Sequence, residues 1–144
     1  MIISNPTSED LTEKKVIIAD VDETICESCQ IISDEMTKVI SNLIIQDYEF
    51  VFISGTGIKS LQRMISSKLK NKHHILATTG TNYTLMHKNG EEETIYNYSL
   101  SEEEKKEIIQ CIDKLIEYFA IKSVTTKEDQ VQDRESQITL SAIG

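Results

Sequence analysis

Two carboxylates, Asp20 and Asp22, stand two residues apart directly after the apolar run Val16-Ile17-Ile18-Ala19. Residues two apart in an extended segment point the same way, and a turn beginning at Asp22 would let one carboxylate face a substrate while the other reaches a leaving group. Two acids so placed suit either a hard cation such as Mg²⁺ or a nucleophile paired with an acid. A second polar cluster, Ser54-Gly55-Thr56-Gly57, follows the apolar stretch Tyr48 to Ile53. Ser54 supplies a hydroxyl, and the glycine-flanked backbone opens a helix whose first N–H groups favour an anion. Either cluster alone is a common turn. Jointly, with Thr24 two residues beyond Asp22, they assemble a phosphate site from two strand ends.

Other reactive residues read more simply. Cys26-Glu27-Ser28-Cys29 has the spacing of a redox or zinc pair, but zinc wants four ligands and the only other cysteine is Cys111, so partly buried thiols are the plainer reading. His73 and His74 are adjacent, which suits the start of a strand better than shared ligation of a metal. Asp129, Asp133 and Glu135 read as a solvated acidic loop, and Lys105 and Lys106 as solvated helix positions.

The elements that must position the two clusters follow from periodicity. The continuous apolar runs at residues 16–19 and 48–53 have the pattern of strands buried on both faces. Between them Met36, Val39, Ile40, Leu43 and Ile44 recur at helical spacing with Ser33 as N-cap, and Ile58, Leu61, Met64, Ile65 and Leu69 do so after the second run. Strand, helix, strand, helix implies a parallel sheet with right-handed crossovers, and ligands of such sheets sit beyond the carboxyl ends of the strands. A third strand is expected over residues 74–78, then a hairpin about Asn89-Gly90. Ser101 and Glu104 form a capping box for a helix over about 101–119 whose apolar stripe would pack a core, and stretches 121–126 and 137–143 look β-like. Residues 1–14 read as a polar lead-in, and the change of rhythm near residue 98 suggests a boundary there.

With 39% apolar residues, 27% charged, five glycines and one proline, the 144 residues suit a globular α/β chain rather than a disordered one. A net charge of −9 repels nucleic acid and anionic lipid, so neither is an expected partner. No apolar run approaches the ~20 residues of a membrane helix and no basic-then-apolar leader opens the chain, so the expected location is the cytoplasm.

Residues 16–25, Val-Ile-Ile-Ala-Asp-Val-Asp-Glu-Thr-Ile, resemble the first motif of the haloacid dehalogenase-like hydrolases, an apolar strand followed by Asp-x-Asp-x-Thr, and Phe52-Ile53-Ser54-Gly55 resembles the second. Segments 79–83, 95–105 and 133–144 are similar to the subfamily with a large α/β cap, which includes phosphomannomutases and sugar-phosphate phosphatases. Glu23 stands where that family usually has Gly. The resemblance implies a Rossmann-like core over 1–98 and a partial inserted cap over 99–144. The family's Lys and further Asp residues would lie beyond this chain, which would make it a truncated member.

The same resemblance implies roles. Asp20 would attack phosphorus to give an aspartyl-phosphate, and Asp22 would protonate the leaving oxygen and then activate water. Mg²⁺ would be held by the Asp20 carboxylate and the Asp22 backbone carbonyl, Thr24 would brace the turn, and Ser54 with Gly55 would bind the phosphoryl group. The expected substrate is a small phosphorylated metabolite, a sugar phosphate foremost, with hydrolysis favoured over mutase action. Rival readings are a receiver domain, whose acceptor Asp should follow a middle strand where this chain has Thr79-Gly80, and an inactive fragment serving as an interaction module. An unfinished sheet edge would favour self-association.

Overall fold

The structure is a computed structural model that describes residues 15–142, so the polar lead-in read over residues 1–14 and the last two residues lie outside it. The chain divides into two compact units, Met1–Ile95 and Tyr96–Gly144.

In the first unit Ser33 accepts the Met36 N–H and starts helix α1, Asp34–Ile45, between strands β1, Val16–Asp20, and β2, Glu49–Ile53. Helix α2, Ile58–Leu61, runs straight into a wider π turn, Gln62–Ser66. Strands β3, His73–Ala77, β4, Asn82–Met86, and β5, Glu92–Asn97, come next, with a single 3₁₀ turn, Thr78–Gly80, between β3 and β4. The five strands lie in the order β1-β2-β3-β4-β5. β1, β2 and β3 are parallel, and β4 returns antiparallel to β3. This is the α/β, Rossmann-like class that the alternation of strand and helix predicts. The β4–β5 connection closes with His87 N–H on the Glu91 carbonyl, and Gly90 takes the positive φ of 82° that the turn demands.

Strand register, more than strand order, brings the two polar clusters together. Ala19 pairs with Phe52 and Asp20 with Ile53, so the acidic turn leaves β1 level with Ser54 at the end of β2.

Among the described residues the core lies on one side of the sheet. Phe50, Phe52 and Ile75 from the strands are buried in one cluster with Ile40 of α1 and Leu61 of α2. A fully buried side chain the size of Phe52 contributes about 1.5–3 kcal/mol. The opposite side corrects the expectation of strands buried on both faces: Val16 is 50% and Ile18 65% exposed, while Val51 and Ile53 are half-buried. The reason is topological. β1 is an edge strand among the described residues, and the helices that complete the core cluster come from one side of the sheet.

The second unit holds helix α3, Glu102–Tyr118, opened by a full capping box between Ser101 and Glu104. Helix α4, Lys127–Gln130, leads into the antiparallel pair β6, Val131–Asp133, and β7, Ile138–Leu140. The apolar stripe of α3 is only half-buried at Ile108, Ile109, Ile112 and Ile116, and Leu115 is exposed. Lys105 is not a free solvated cation: it pairs with Asp133 at 3.0 Å and Glu102 at 3.4 Å, and the Asp133 contact holds its ammonium above the usual value. No strand forms over residues 121–126. No described helix is long and apolar enough to cross a membrane.

Candidate active site

The turn after β1 is knotted onto itself by its backbone. Val21 C=O accepts from the N–H groups of Thr24, Ile25 and Cys26, while Glu23 N–H donates to Cys26 C=O at 2.8 Å. Val21 is fully buried and anchors this turn in the core. Glu23 sits at φ 58°, the left-handed region in which Gly rests without strain, and its carboxylate accepts the Ser28 N–H at 2.9 Å. The departure from the family's Gly is therefore accommodated by a side-chain bond that Gly lacks.

Asp20 is exposed, and its Oδ2 accepts the Thr24 hydroxyl at 3.2 Å, so these two predicted residues meet. Asp22 is the more heavily held acid. Its Oδ2 accepts the Ser54 hydroxyl at 3.1 Å and the Thr56 hydroxyl at 3.4 Å, and its Oδ1 accepts the Cys29 N–H at 3.1 Å. Ser54, expected to bind the phosphoryl group, is buried at 4% exposure, and its hydroxyl donates to Asp22.

The end of β2 is fixed from the next strand. Ser54 N–H donates to Leu76 C=O of β3 at 3.2 Å, Thr79 N–H to Ser54 C=O at 2.9 Å, and Thr78 N–H to Thr56 C=O at 3.1 Å. Thr56 N–H closes a local turn onto the Ser54 hydroxyl at 3.0 Å. Gly55 has room for a side chain, since an added Cβ would come no nearer than 3.9 Å to Thr79. Its absence of a Cβ is thus not a steric requirement of the free fold.

Three participants carry no signal in the motif reading: the Thr56 hydroxyl, the Cys29 amide, and Arg63, whose guanidinium donates to Cys29 C=O at 3.2 Å. Cys26 and Cys29 are free thiols. Burial first, then the charges of Asp22 and Glu23, push the Cys26 thiol above its usual value, which opposes a reactive thiolate.

The candidate cation ligands are hard oxygens, the exposed Asp20 carboxylate and, as the family resemblance implies, the Asp22 backbone carbonyl. Such oxygens match Mg²⁺, which keeps several waters and needs few protein ligands. Among the described residues no three His, Cys, Asp or Glu converge on one point, so the protein's share of a shell would be small.

A family model described as haloacid dehalogenase-like hydrolase matches residues 17–139. No curated protein matches the chain. Among solved structures, a haloacid dehalogenase-like hydrolase from B. subtilis superposes with a TM-score of 0.56 at 16% identity, over 70% of this chain and 34% of that one. A structure described as a putative phosphate from Eubacterium rectale gives 0.54 at 24% identity, over 69% and 36%. The IMP-bound, N-terminally truncated IMP-nucleotidase of Plasmodium falciparum gives 0.62 at 14% identity, over 92% and 44%. At these identities the likeness is one of fold, and the chain spans less than half the length of each of these structures.

Proposed function

This chain belongs to the haloacid dehalogenase-like hydrolases, and from that premise we propose that it takes part in phosphoryl transfer from a small phosphorylated metabolite, a sugar phosphate foremost, to water. In this reading Asp20 is the nucleophile. Its carboxylate oxygen forms a bond to phosphorus as the ester P–O bond breaks, Asp22 gives its proton to the departing oxygen, and the same Asp22 then takes a proton from the water that splits the aspartyl-phosphate. The observation that supports this division is the contrast between the two acids. Asp20 is exposed at the strand end with Thr24 as its donor, while Asp22 is fixed by three donors from two segments. Two of those donors are hydroxyls, which can turn from donating to accepting as Asp22 gains or loses its proton. Mg²⁺, held by the Asp20 carboxylate and the Asp22 backbone carbonyl, would neutralise phosphoryl charge when bound. We further propose that the first unit is the N-terminal part of the catalytic core and that residues 99–144 are part of a cap that selects substrate.

One observation favours a second reading, a catalytically silent member that acts as a binding module: among the described residues no Lys or Arg pairs with Asp20 or Asp22. Hydrolysis of an aryl phosphate by the full chain with Mg²⁺ separates the two. Activity that Asp20→Asn lowers by about 10²-fold or more supports the enzyme. Equal rates for the parent and Asp20→Asn, or a folded parent with no turnover, would overturn it.

A further inference from the structure

We propose that Arg63 is a positioning residue for the Asp22 carboxylate, acting through the Cys29 backbone. This deepens the phosphoryl-transfer reading and rests on it for the importance of Asp22.

In the π turn, Gln62–Ser66, the Ser67 N–H reaches back to Gln62 C=O at 3.0 Å. A π turn inserted in a short helix rotates the residues beyond it, and such insertions persist where they aim a group. Here the turn grips the segment leading into α1 at two points. Arg63 donates from its guanidinium to Cys29 C=O at 3.2 Å, and Met64 C=O accepts the Ile32 N–H at 2.9 Å. Met64 and Ile32 are both fully buried, so the second point is a core fixture. The first is a solvent-exposed side-chain latch.

That latch acts on a residue in a costly backbone pose. Cys29 lies at φ 59°, a left-handed conformation that costs a non-glycine residue stability. In that conformation its N–H meets Asp22 Oδ1 at 3.1 Å while its carbonyl faces Arg63. The guanidinium bond is charge-assisted, and bonds of this kind are the stronger ones; it fixes the Cys29–Gln30 peptide and so restrains the Cys29 backbone that aims the N–H. The donors at Oδ2, Ser54 and Thr56, are tied to β2 and β3 independently. Loss of Arg63 would therefore free one oxygen of Asp22 and leave the other held, so that the carboxylate turns about its fixed edge.

The test is amide hydrogen exchange by NMR on the full chain and on Arg63→Met, Arg63→Lys and Asp22→Asn. Arg63→Met should speed exchange at Cys29 by about tenfold and leave Ile32 unchanged, with Arg63→Lys, which keeps a donor and the charge, in between. Asp22→Asn should also speed Cys29 while Arg63 is intact. Unchanged Cys29 exchange in Arg63→Met would overturn the proposal, as would an equal rise at Ile32, which would show general loosening. In the aryl phosphate assay Arg63→Met should lower kcat several-fold with KM unchanged. Hydrolysis indifferent to Asp22→Asn would defeat the phosphoryl-transfer reading while the exchange result still decides what Arg63 does.

Discussion

Glu23 shows how one residue meets two opposing demands. Its left-handed backbone costs roughly 1 kcal/mol relative to Gly, and its bond to the Ser28 N–H returns about the same. Glu23→Ala keeps the strain and loses the bond, so it should destabilise the chain by about 1 kcal/mol in urea unfolding. Glu23→Gly loses both and should lie within about 0.5 kcal/mol of the parent. Equal losses in the two variants would show that the bond, not the backbone, decides the turn. The acids and hydroxyls of the candidate site were legible because their chemistry is in the side chain and their place is at a strand end. Asp20, Asp22, Thr24 and Ser54 all announce themselves in this way. The Cys29 contribution was not legible, since any residue but proline has an N–H and only the fold says where it points. Arg63 escaped for a related reason: its partner is a carbonyl 34 positions away rather than an opposite charge.

Among the elements, the π turn and β3 are joined by a buried histidine. His73 is 1% exposed, with Nδ1 2.7 Å from Asn71 C=O and Nε2 2.9 Å from the Ser66 hydroxyl. A carbonyl only accepts, so Nδ1 carries the proton and Nε2 accepts from Ser66. Burial holds His73 below its usual 6.5. The unfolded chain takes up the proton near pH 6.5 and the folded chain only at lower pH, so stability is whole above 6.5 and falls as pH drops through the folded value. The urea midpoint should thus be level from about pH 8 to 7 and decline from about 6.5 downward. His73→Phe should flatten that stretch. A midpoint that holds until the carboxylate range, where Glu49 also titrates below its usual 4.5, would refute the assignment. Periodicity found α1, β2 and α3 because each has one continuous face to bury. It read residues 58–69 as a single helix because the apolar positions keep helical spacing through the π turn. It failed over residues 121–126 because Ser123 bonds to the Thr125 N–H and carbonyl and Thr126 caps α4, which satisfies the backbone locally instead of in a sheet.

At the scale of the molecule, the α/β class was legible from the alternation of elements, whereas the open face of the sheet was not. An apolar run such as Val16–Ala19 states what a strand prefers to bury, not whether anything lies there to bury it. Among the described residues β1 is an edge strand with Val16 and Ile18 exposed, and the unpaired backbone of such an edge is a template for pairing with another chain. The charge of −9 opposes that approach and is screened by salt. Sedimentation should therefore show association that grows with protein concentration and ionic strength, and Ile18→Thr should reduce it. Equal association in Ile18→Thr would place the contact elsewhere. The left-handed non-glycine residues are unevenly spread as well. Of the seven among the described residues, Glu23 and Cys29 lie in the segment after β1, Thr78 and Thr79 follow β3 and donate to the Thr56 and Ser54 carbonyls, and Asp47, Ala120 and Glu135 lie elsewhere. The turns around Asp20 and Ser54 accordingly store conformational tension that the helices and strands do not. On warming, they are the first places where the chain should come undone, so chemical competence would fade at a temperature where the scaffold still stands.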